Sequence, residues 1–295
     1  MSAATVHDWL ASHAIDPTGE LETIHERPWS TVLRVPTADG DLFLKQEQPV
    51  QEYEVALTVA LAARWPDRVP EVVAADLERS WLLTRDGGVR VADSGAFDAF
   101  PRALELYGEL QVGEIPHVEQ LVEIGLRDLR LAVVVELYEP FFERDHGLEP
   151  AEVARLRALA PKFRELCAEL EALDLPSSIQ HDDLHQWNVF VRGDRVALYD
   201  WGDSSVAFPL WSWLKPWWAL EGQDPTRARD AYIAQWEGFA PRPDLLRALE
   251  VAIPTGLFPY VAQIRRQYDA TQAHSDYGTY LPQRLRQLLA ELEAA

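Results

Sequence analysis

The chain of 295 residues is 47% hydrophobic and 25% charged, enough apolar material for one two-lobed enzyme or two modest domains. A formal charge of −21 argues against a nucleic-acid partner, whose phosphates it would repel. The single cysteine, Cys167, excludes an internal disulfide, and neither a leader nor a membrane-length apolar run stands out, so a soluble cytoplasmic protein with no membrane partner is expected.

Val6, Trp9, Leu10 and His13 recur at helical spacing, which predicts a short amphipathic helix ending near Asp16-Pro17. From Glu20 the period shortens, and Leu21 to His25, Thr31 to Val35 and Leu42 to Leu44 read as strands. Arg27-Pro28-Trp29-Ser30 turns between the first two, and Ala38-Asp39-Gly40-Asp41 makes a tight hairpin between the second and third. Lys45 closes the third strand. On the helix after Pro49, Leu57 and Leu61 share a face with Glu54, so Glu54 is expected to point inward, with Glu52 as the reserve partner for Lys45. Glu71 to Ala75 and Trp81 to Leu83 read as two more strands before Thr84-Arg85-Asp86-Gly87-Gly88 breaks the pattern.

Strand signals then stop. Residues 96–112, 117–142 and 150–173 carry helical periodicity, with Leu104, Leu106, Leu110, Val118, Leu121, Leu126 and Leu129 on buried faces. Cys167 falls inside the last of these helices and reads as a packed residue. Asp174-Leu175-Pro176 closes the helix before the most informative stretch, Ile179 to Val191.

Two apolar runs, Val189 to Val191 and Val196 to Leu198, flank the turn Arg192-Gly193-Asp194-Arg195. This hairpin brings Asn188 near Asp200, with Asp183 one short loop upstream. Phosphoryl transfer asks for such a set: one carboxylate to orient a hydroxyl, and an Asn and an Asp to hold Mg2+. The spacing follows the kinase pattern H-R-D-L-x-x-x-N then D-F-G. His181, Asp183, Leu184 and Asn188 fall on it, Asp182 takes the Arg position, and Asp200-Trp201-Gly202 stands for D-F-G. With that loop present, Lys45 becomes the phosphate-binding lysine. Beyond Asp203, Phe208, Trp211, Trp213, Trp217, Trp218, Tyr232 and Trp236 read as a ring-packed helical core, with one or two rings lining an acceptor pocket as the alternative. Residues 243–294 read as helical, broken in the middle by Gly256 and Pro259.

His-x-Asp-Leu-His-x-x-Asn, a hairpin, then Asp-Trp resembles the aminoglycoside phosphotransferase and choline kinase-like family of small-molecule kinases. The likeness is sharp over 178–209 and weaker, in the right order, over 20–88; His185 matches a second His common in the family. Asp182 replaces its usual Gly, and Ser212 stands where many members carry an Asp after the Pro matched by Pro209.

The resemblance implies an α+β, two-lobed protein-kinase-like fold. A small antiparallel-sheet lobe (1–86) would bind nucleotide, and a larger, mainly helical lobe (87–295) would carry the catalytic loop and acceptor site. It implies ATP, or GTP in its place, with Mg2+. Ser30 and Thr31 would donate to phosphate, and the backbone of Leu83 to Arg85 would meet the purine. Lys45, held by Glu54, would grip the phosphates, Asn188 and Asp200 would ligate Mg2+, and Asp183 would orient the acceptor hydroxyl. His181 would brace the loop, with His185 beside it. The acceptor would be a small-molecule hydroxyl on an aminoglycoside, amino sugar, sugar or amino alcohol. Asp203, Glu221, Asp224 and the rings from Trp211 to Trp218 predict a preference for a cationic one. A nucleotide-binding pseudokinase without turnover is the alternative, which the intact Lys, Asp, Asn and Asp set disfavours. A protein kinase is disfavoured by the missing G-x-G-x-x-G and Ala-Pro-Glu segments.

Overall fold

The computed structural model describes residues 3–95, 97–271 and 275–295. Residues 1 and 2 of the expected N-terminal lobe, Ala96 at an expected helix start, and residues 272–274 of the expected helical tail lie outside the described residues. Helix α1 (Ala3–Ser12) stops short of Asp16, because Ala14 takes a left-handed backbone with φ 58°. Strand β1 (Glu22–Glu26) follows, and Val6, Trp9 and Leu10 of α1 pack on β2 (Ser30–Thr37), β3 (Gly40–Glu47) and their later partners, in a small cluster with Val35, Leu42 and Leu44. Alternation along β3 turns Leu42 and Leu44 to that cluster and Lys45 to the opposite face. Helix α2 (Tyr53–Arg64) leads to β4 (Val72–Asp76) and β5 (Trp81–Arg85), closing an antiparallel sheet of order β1-β2-β3-β5-β4.

The chain crosses at Asp86 to Gly88 into a two-residue strand, β6 (Val89–Arg90), and a short helix α3 (Val91–Ser94). Gly87 lies against Tyr199, where a Cβ would come within 2.6 Å of the ring hydroxyl, so the crossing is pinned to the end of the catalytic hairpin. Helix α4 (Ala99–Glu114) runs through the core. The stretch expected as one helix over 117–142 is two, α5 (Val118–Ile124) and α6 (Leu131–Phe141), split by strand β7 (Arg127–Leu129). Gly125 at φ 118° ends α5, and Leu126 and Leu129 are buried from outside any helix. Helices α7 (Pro150–Ala158) and α8 (Ala160–Glu171) replace the single one expected over 150–173.

Strand β8 (Ser178–Gln180) delivers the chain to the catalytic loop, followed by β9 (Val189–Arg192) and β10 (Arg195–Leu198), a hairpin closed by Gly193-Asp194. Strand β11 (Ser205–Ala207) lies between β7 and β8. A 3-10 turn (Pro209–Trp213), α9 (Leu214–Ala219), α10 (Thr226–Ile233), α11 (Arg242–Thr271) and α12 (Ser275–Ala294) complete the chain. Contrary to the expected break, α11 runs unbroken through Pro254, Gly256 and Pro259. It is also long and apolar enough to cross a membrane, which corrects the reading that no such run exists, and 72% of its most apolar window is buried inside the fold.

This is the α+β arrangement that the resemblance implies: a small antiparallel sheet followed by a larger, mainly helical part. The large core joins α4, α8, α10 and α11, and it also takes in Tyr53, Leu57 and Leu61 of α2. Burying each such side chain contributes about 1.5–3 kcal/mol relative to exposure. That burial fixes α2 to the helical part of the molecule.

Candidate active site

Lys45 leaves β3 on the face away from α1 and meets three carboxylates. Its Nζ lies 2.6 Å from Glu54 Oε2, 2.8 Å from Asp200 Oδ1 and 2.8 Å from Glu47 Oε1. Burial alone would lower the ammonium; Asp200, Glu47 and Glu54 outweigh it and hold it well above its usual range. Glu54 also accepts the Trp201 backbone N–H at 3.1 Å, so one side chain of α2 joins the lysine to the segment after the hairpin. Gly202 makes room for it, since a Cβ there would stand 2.7 Å from Glu54 Oε2. Glu52, the reserve partner, is exposed at the start of α2.

The catalytic loop is tied to the hairpin by backbone bonds, Asn188 N–H to His185 O at 2.9 Å and Tyr199 N–H to Asn188 O at 2.9 Å. Asp182 and Asp200 both sit on left-handed backbone, with φ 60° and 65°. The Asn188 amide nitrogen donates to Asp183 O at 2.9 Å and Asp183 Oδ2 at 3.1 Å. His181 is fully buried and donates from Nε2 to Tyr199 O at 2.9 Å, and burial pushes its ring down to about 4. It is a neutral brace at physiological pH. His185 Nε2 lies 3.3 Å from Asp183 Oδ2.

Asp183 has a further partner that the sequence reading missed. Lys215 Nζ, from α9, lies 2.7 Å from Asp183 Oδ1. Burial would raise the Asp183 carboxyl, but the Lys215 ammonium and His185 overcome it and hold it well below the usual range. Lys215 is one of only three lysines in the chain, with Lys45 and Lys162, and it is the one charged residue in the run Leu210 to Ala219. That isolation was the available signal. Asp182 accepts the Ser205 Oγ hydroxyl at 2.5 Å, and burial pushes it up to about 6.

Asp182, Asp183, Asp200 and Lys215 line a cleft of about 500 Å3 with Arg27 and Trp29 on one side and Tyr260, Gln263 and Tyr280 on the other. Ser30 is not presented to it, being 1% exposed at the start of β2, and Thr31 is half-buried beside it. Leu83 and Arg85 lie inside the sheet, paired with Leu44 and Leu42, and the Arg85 N–H is taken by Glu71 O at 3.0 Å. Strand β5 runs two residues beyond the expected end, which moves the crossing to Asp86 and Gly87. Of the three acids expected around the acceptor, Asp203 lines the cleft, whereas Glu221 and Asp224 are exposed and take no part in its wall. Burial, with Asp183 and Asp200 nearby, pushes Asp203 up to about 7. Trp211 and Trp213 are core residues.

Where many relatives of the resembled family carry an Asp, Ser212 joins a buried neutral network. Its Oγ lies 2.6 Å from Tyr107 Oη and 3.1 Å from Gln111 Nε2, and it also bonds Gln180 Oε1. Tyr107 in turn accepts the His181 backbone N–H at 3.0 Å. The loop is thus held from below by neutral groups, among which the Tyr107, Gln111, Gln180 and Ser212 side chains are all hydrogen-bonded.

The family model described as APH, phosphotransferase enzyme family, matches residues 23–250, more than half of the chain. Among similar solved structures is a choline/ethanolamine kinase family protein from Mesorhizobium loti, with 19% identity over 98% of this chain and 95% of that one, and a TM-score of 0.67. The choline kinase LicA from Streptococcus pneumoniae gives 13% identity over 97% of this chain and 98% of its own, with a TM-score of 0.68. A GDP and kanamycin complex of APH(2")-IIia gives 15% identity over 98% and 99%, with a TM-score of 0.65. At these identities the likeness is one of fold. Comparison with curated proteins gives no match.

Proposed function

Because the chain belongs to the phosphotransferase enzyme family, we propose that it carries the γ-phosphoryl group of ATP, or of GTP, to a hydroxyl of a small molecule. The observation that supports this best is one connected set of contacts. Lys45, held by Glu54, reaches Asp200, while Asn188 and Lys215 hold Asp183 on the other side of the same cleft. Both halves of the site are held by contacts of the chain itself.

The donors present suit Mg2+. The Asn188 amide nitrogen is spent on Asp183, and among the described residues its Oδ1 accepts no hydrogen bond; Asp200 likewise engages Lys45 through Oδ1 and leaves Oδ2 free. No group of three or more His, Cys, Asp or Glu suited to a metal occurs among the described residues. Two protein oxygens with phosphates and water completing the shell is the arrangement Mg2+ takes in kinases. Bound there, the ion would neutralise charge on the phosphates.

The chain's own residues have limited tasks, as a loose transition state requires. Lys45 binds phosphate oxygens and is kept charged by its carboxylates. Asp183 accepts a hydrogen bond from the acceptor hydroxyl and orients it. Held ionised by Lys215, it is a weak base, which suits a reaction in which the proton leaves late. The acceptor is an aminoglycoside, amino sugar, sugar or amino alcohol. The single cysteine, Cys167, allows no internal disulfide, which supports a cytoplasmic setting.

The test is Mg2+-dependent phosphorylation across an acceptor panel, with two variants. Asp200→Ala should lower turnover by about a thousandfold or more with the melting temperature little changed, and turnover within about tenfold of the parent would remove the assignment. Asp183→Asn should cost about a hundredfold in kcat while nucleotide affinity stays the same.

A further inference from the structure

The acceptor end of the cleft carries a cation where the sequence pattern had suggested acids. The Lys215 side chain is 15% exposed, is ion-paired at 2.7 Å to Asp183, and lies where an acceptor hydroxyl must arrive. The rings around it are already in use. Lys215 Nζ stands 4.7 Å from the Tyr260 centroid and 5.8 Å from that of Trp218. The Arg284 guanidinium stands 4.2 Å from the Trp218 centroid and 4.7 Å from that of Tyr280. Each of these three rings beside Lys215 therefore already carries a cation of the chain itself. An arriving ammonium would share those rings and meet Lys215 as a like charge.

The remaining wall suits oxygen. The Tyr260 and Tyr280 hydroxyls pair at 2.7 Å, and Gln263 and Gln267 add amides. Lys215 has three N–H donors and gives one to Asp183, which leaves donors for an acceptor oxygen. Two wall carboxylates are contrary features: Asp182, whose Oδ2 accepts the Ser205 hydroxyl, and Asp203, which has no ion-pair partner among the described residues. Asp203 Oδ1 is already held by Gln51 Nε2 at 2.8 Å and by Gln267 Nε2.

We propose that Lys215 sets the acceptor class: the hydroxyl presented to Asp183 belongs to a polyhydroxy compound without a cationic group, and an ammonium close to that hydroxyl is rejected. The inference rests on the kinase reading and narrows its acceptor. It reverses the cationic preference that local composition predicts.

Glucose, glucosamine and glucuronate share a ring and differ in charge, so they form the probe set at pH 7 with Mg2+-ATP. Each is measured by kcat/KM as an acceptor, and also by the concentration that inhibits hydrolysis of ATP by water. Glucosamine should be poorer than glucose by about tenfold or more in either measure, as expected for a like charge brought to a partly desolvated ammonium. Lys215→Gln should bring the two within about threefold, and Lys215→Arg should keep the parent's ranking. A merely structural role for Lys215 would lower all three together. Glucosamine equal to or better than glucose in the parent, including equal inactivity of all three, overturns the proposal, as does an unchanged ratio in a folded Lys215→Gln. If Mg2+-ATP neither binds in calorimetry nor is hydrolysed, the kinase reading itself fails, and that result is distinct from a reversed sugar ranking.

Discussion

Asp182 and Asp183 are neighbours with opposite electrostatics. Asp183 is held ionised by Lys215, whereas Asp182 is pushed up to about 6 from 3.8, chiefly by burial. An acid whose folded-state value is raised opposes folding in its charged form. The penalty is absent below about pH 4, grows to about pH 6 and is constant above it. Because Asp182 is half-buried, solvent screens part of the shift, and the cost at neutral pH is about 1–2 kcal/mol. Its left-handed backbone adds about 1 kcal/mol that a glycine would not incur, set against about 1 kcal/mol for the lost Ser205 bond. Asp182→Gly should therefore stabilise the protein by about 1–2 kcal/mol at pH 7 and by close to nothing at pH 4. Urea denaturation at the two pH values measures this, and a variant less stable at pH 7 than at pH 4, relative to the parent, contradicts it. Loop spacing alone distinguished these two carboxylates in the sequence. For Lys215 the sequence offered only its isolation, and its role stayed hidden because its contact with Asp183 is created by the placement of α9.

At the scale of elements, periodicity located β1 to β5, α2, α4 and the catalytic hairpin; apart from β1, whose residues are all exposed, these elements bury residues along one face. It missed β6, β7, β8 and β11. These strands are two or three residues long, too short to show a period, and they owe their existence to partners distant in sequence. Helix α11 failed in the opposite direction, since Pro254, Gly256 and Pro259 are local breakers overridden by burial. Gly256 has a packing reason. A Cβ there would stand 2.9 Å from Trp211 Cδ1 and 3.3 Å from Trp211 Cβ, near the root of a buried ring that cannot swing aside. Trp211 is also fixed by its Nε1 bond to Thr255 Oγ1 at 2.9 Å. On helix propensity alone Gly256→Ala would gain about 1 kcal/mol. Overpacking should reverse the sign and destabilise the protein by about 1–3 kcal/mol. A shift of the urea midpoint to higher concentration would show that Trp211 has room to yield.

At the scale of the whole molecule, the question is which parts move together when nucleotide enters. Helix α2 belongs by sequence to the sheet lobe, yet Tyr53, Leu57 and Leu61 are buried in the large helical core. It is tied to the helical part repeatedly: Tyr53 Oη donates to Gly202 O at 2.5 Å, Glu54 accepts the Trp201 N–H, and just before the helix Val50 O accepts from Arg266 of α11 at 2.6 Å. Releasing α2 would strand several of these buried polar groups at about 1–3 kcal/mol each, so α2 should open only when the helical core opens. Strand β1 is the reverse case. Every residue in it is exposed, it is an edge strand, and its pairing with β2 slips between Thr23 and His25. The turn it shares with β2 carries Arg27 and Trp29 over the cleft. Native-state hydrogen exchange should therefore show the amides of Val55 to Leu61 protected to the same free energy as those of α4, with the bonded amides of β1 exchanging far sooner. Mg2+-ATP should slow exchange in β1 and β2 and leave α2 unchanged, because the nucleotide would cover the first two and α2 is already held. If α2 instead exchanges with β1, or gains as much protection from nucleotide as β1 does, the sheet lobe moves as one body and α2 is its hinge-side helix, not an extension of the helical core.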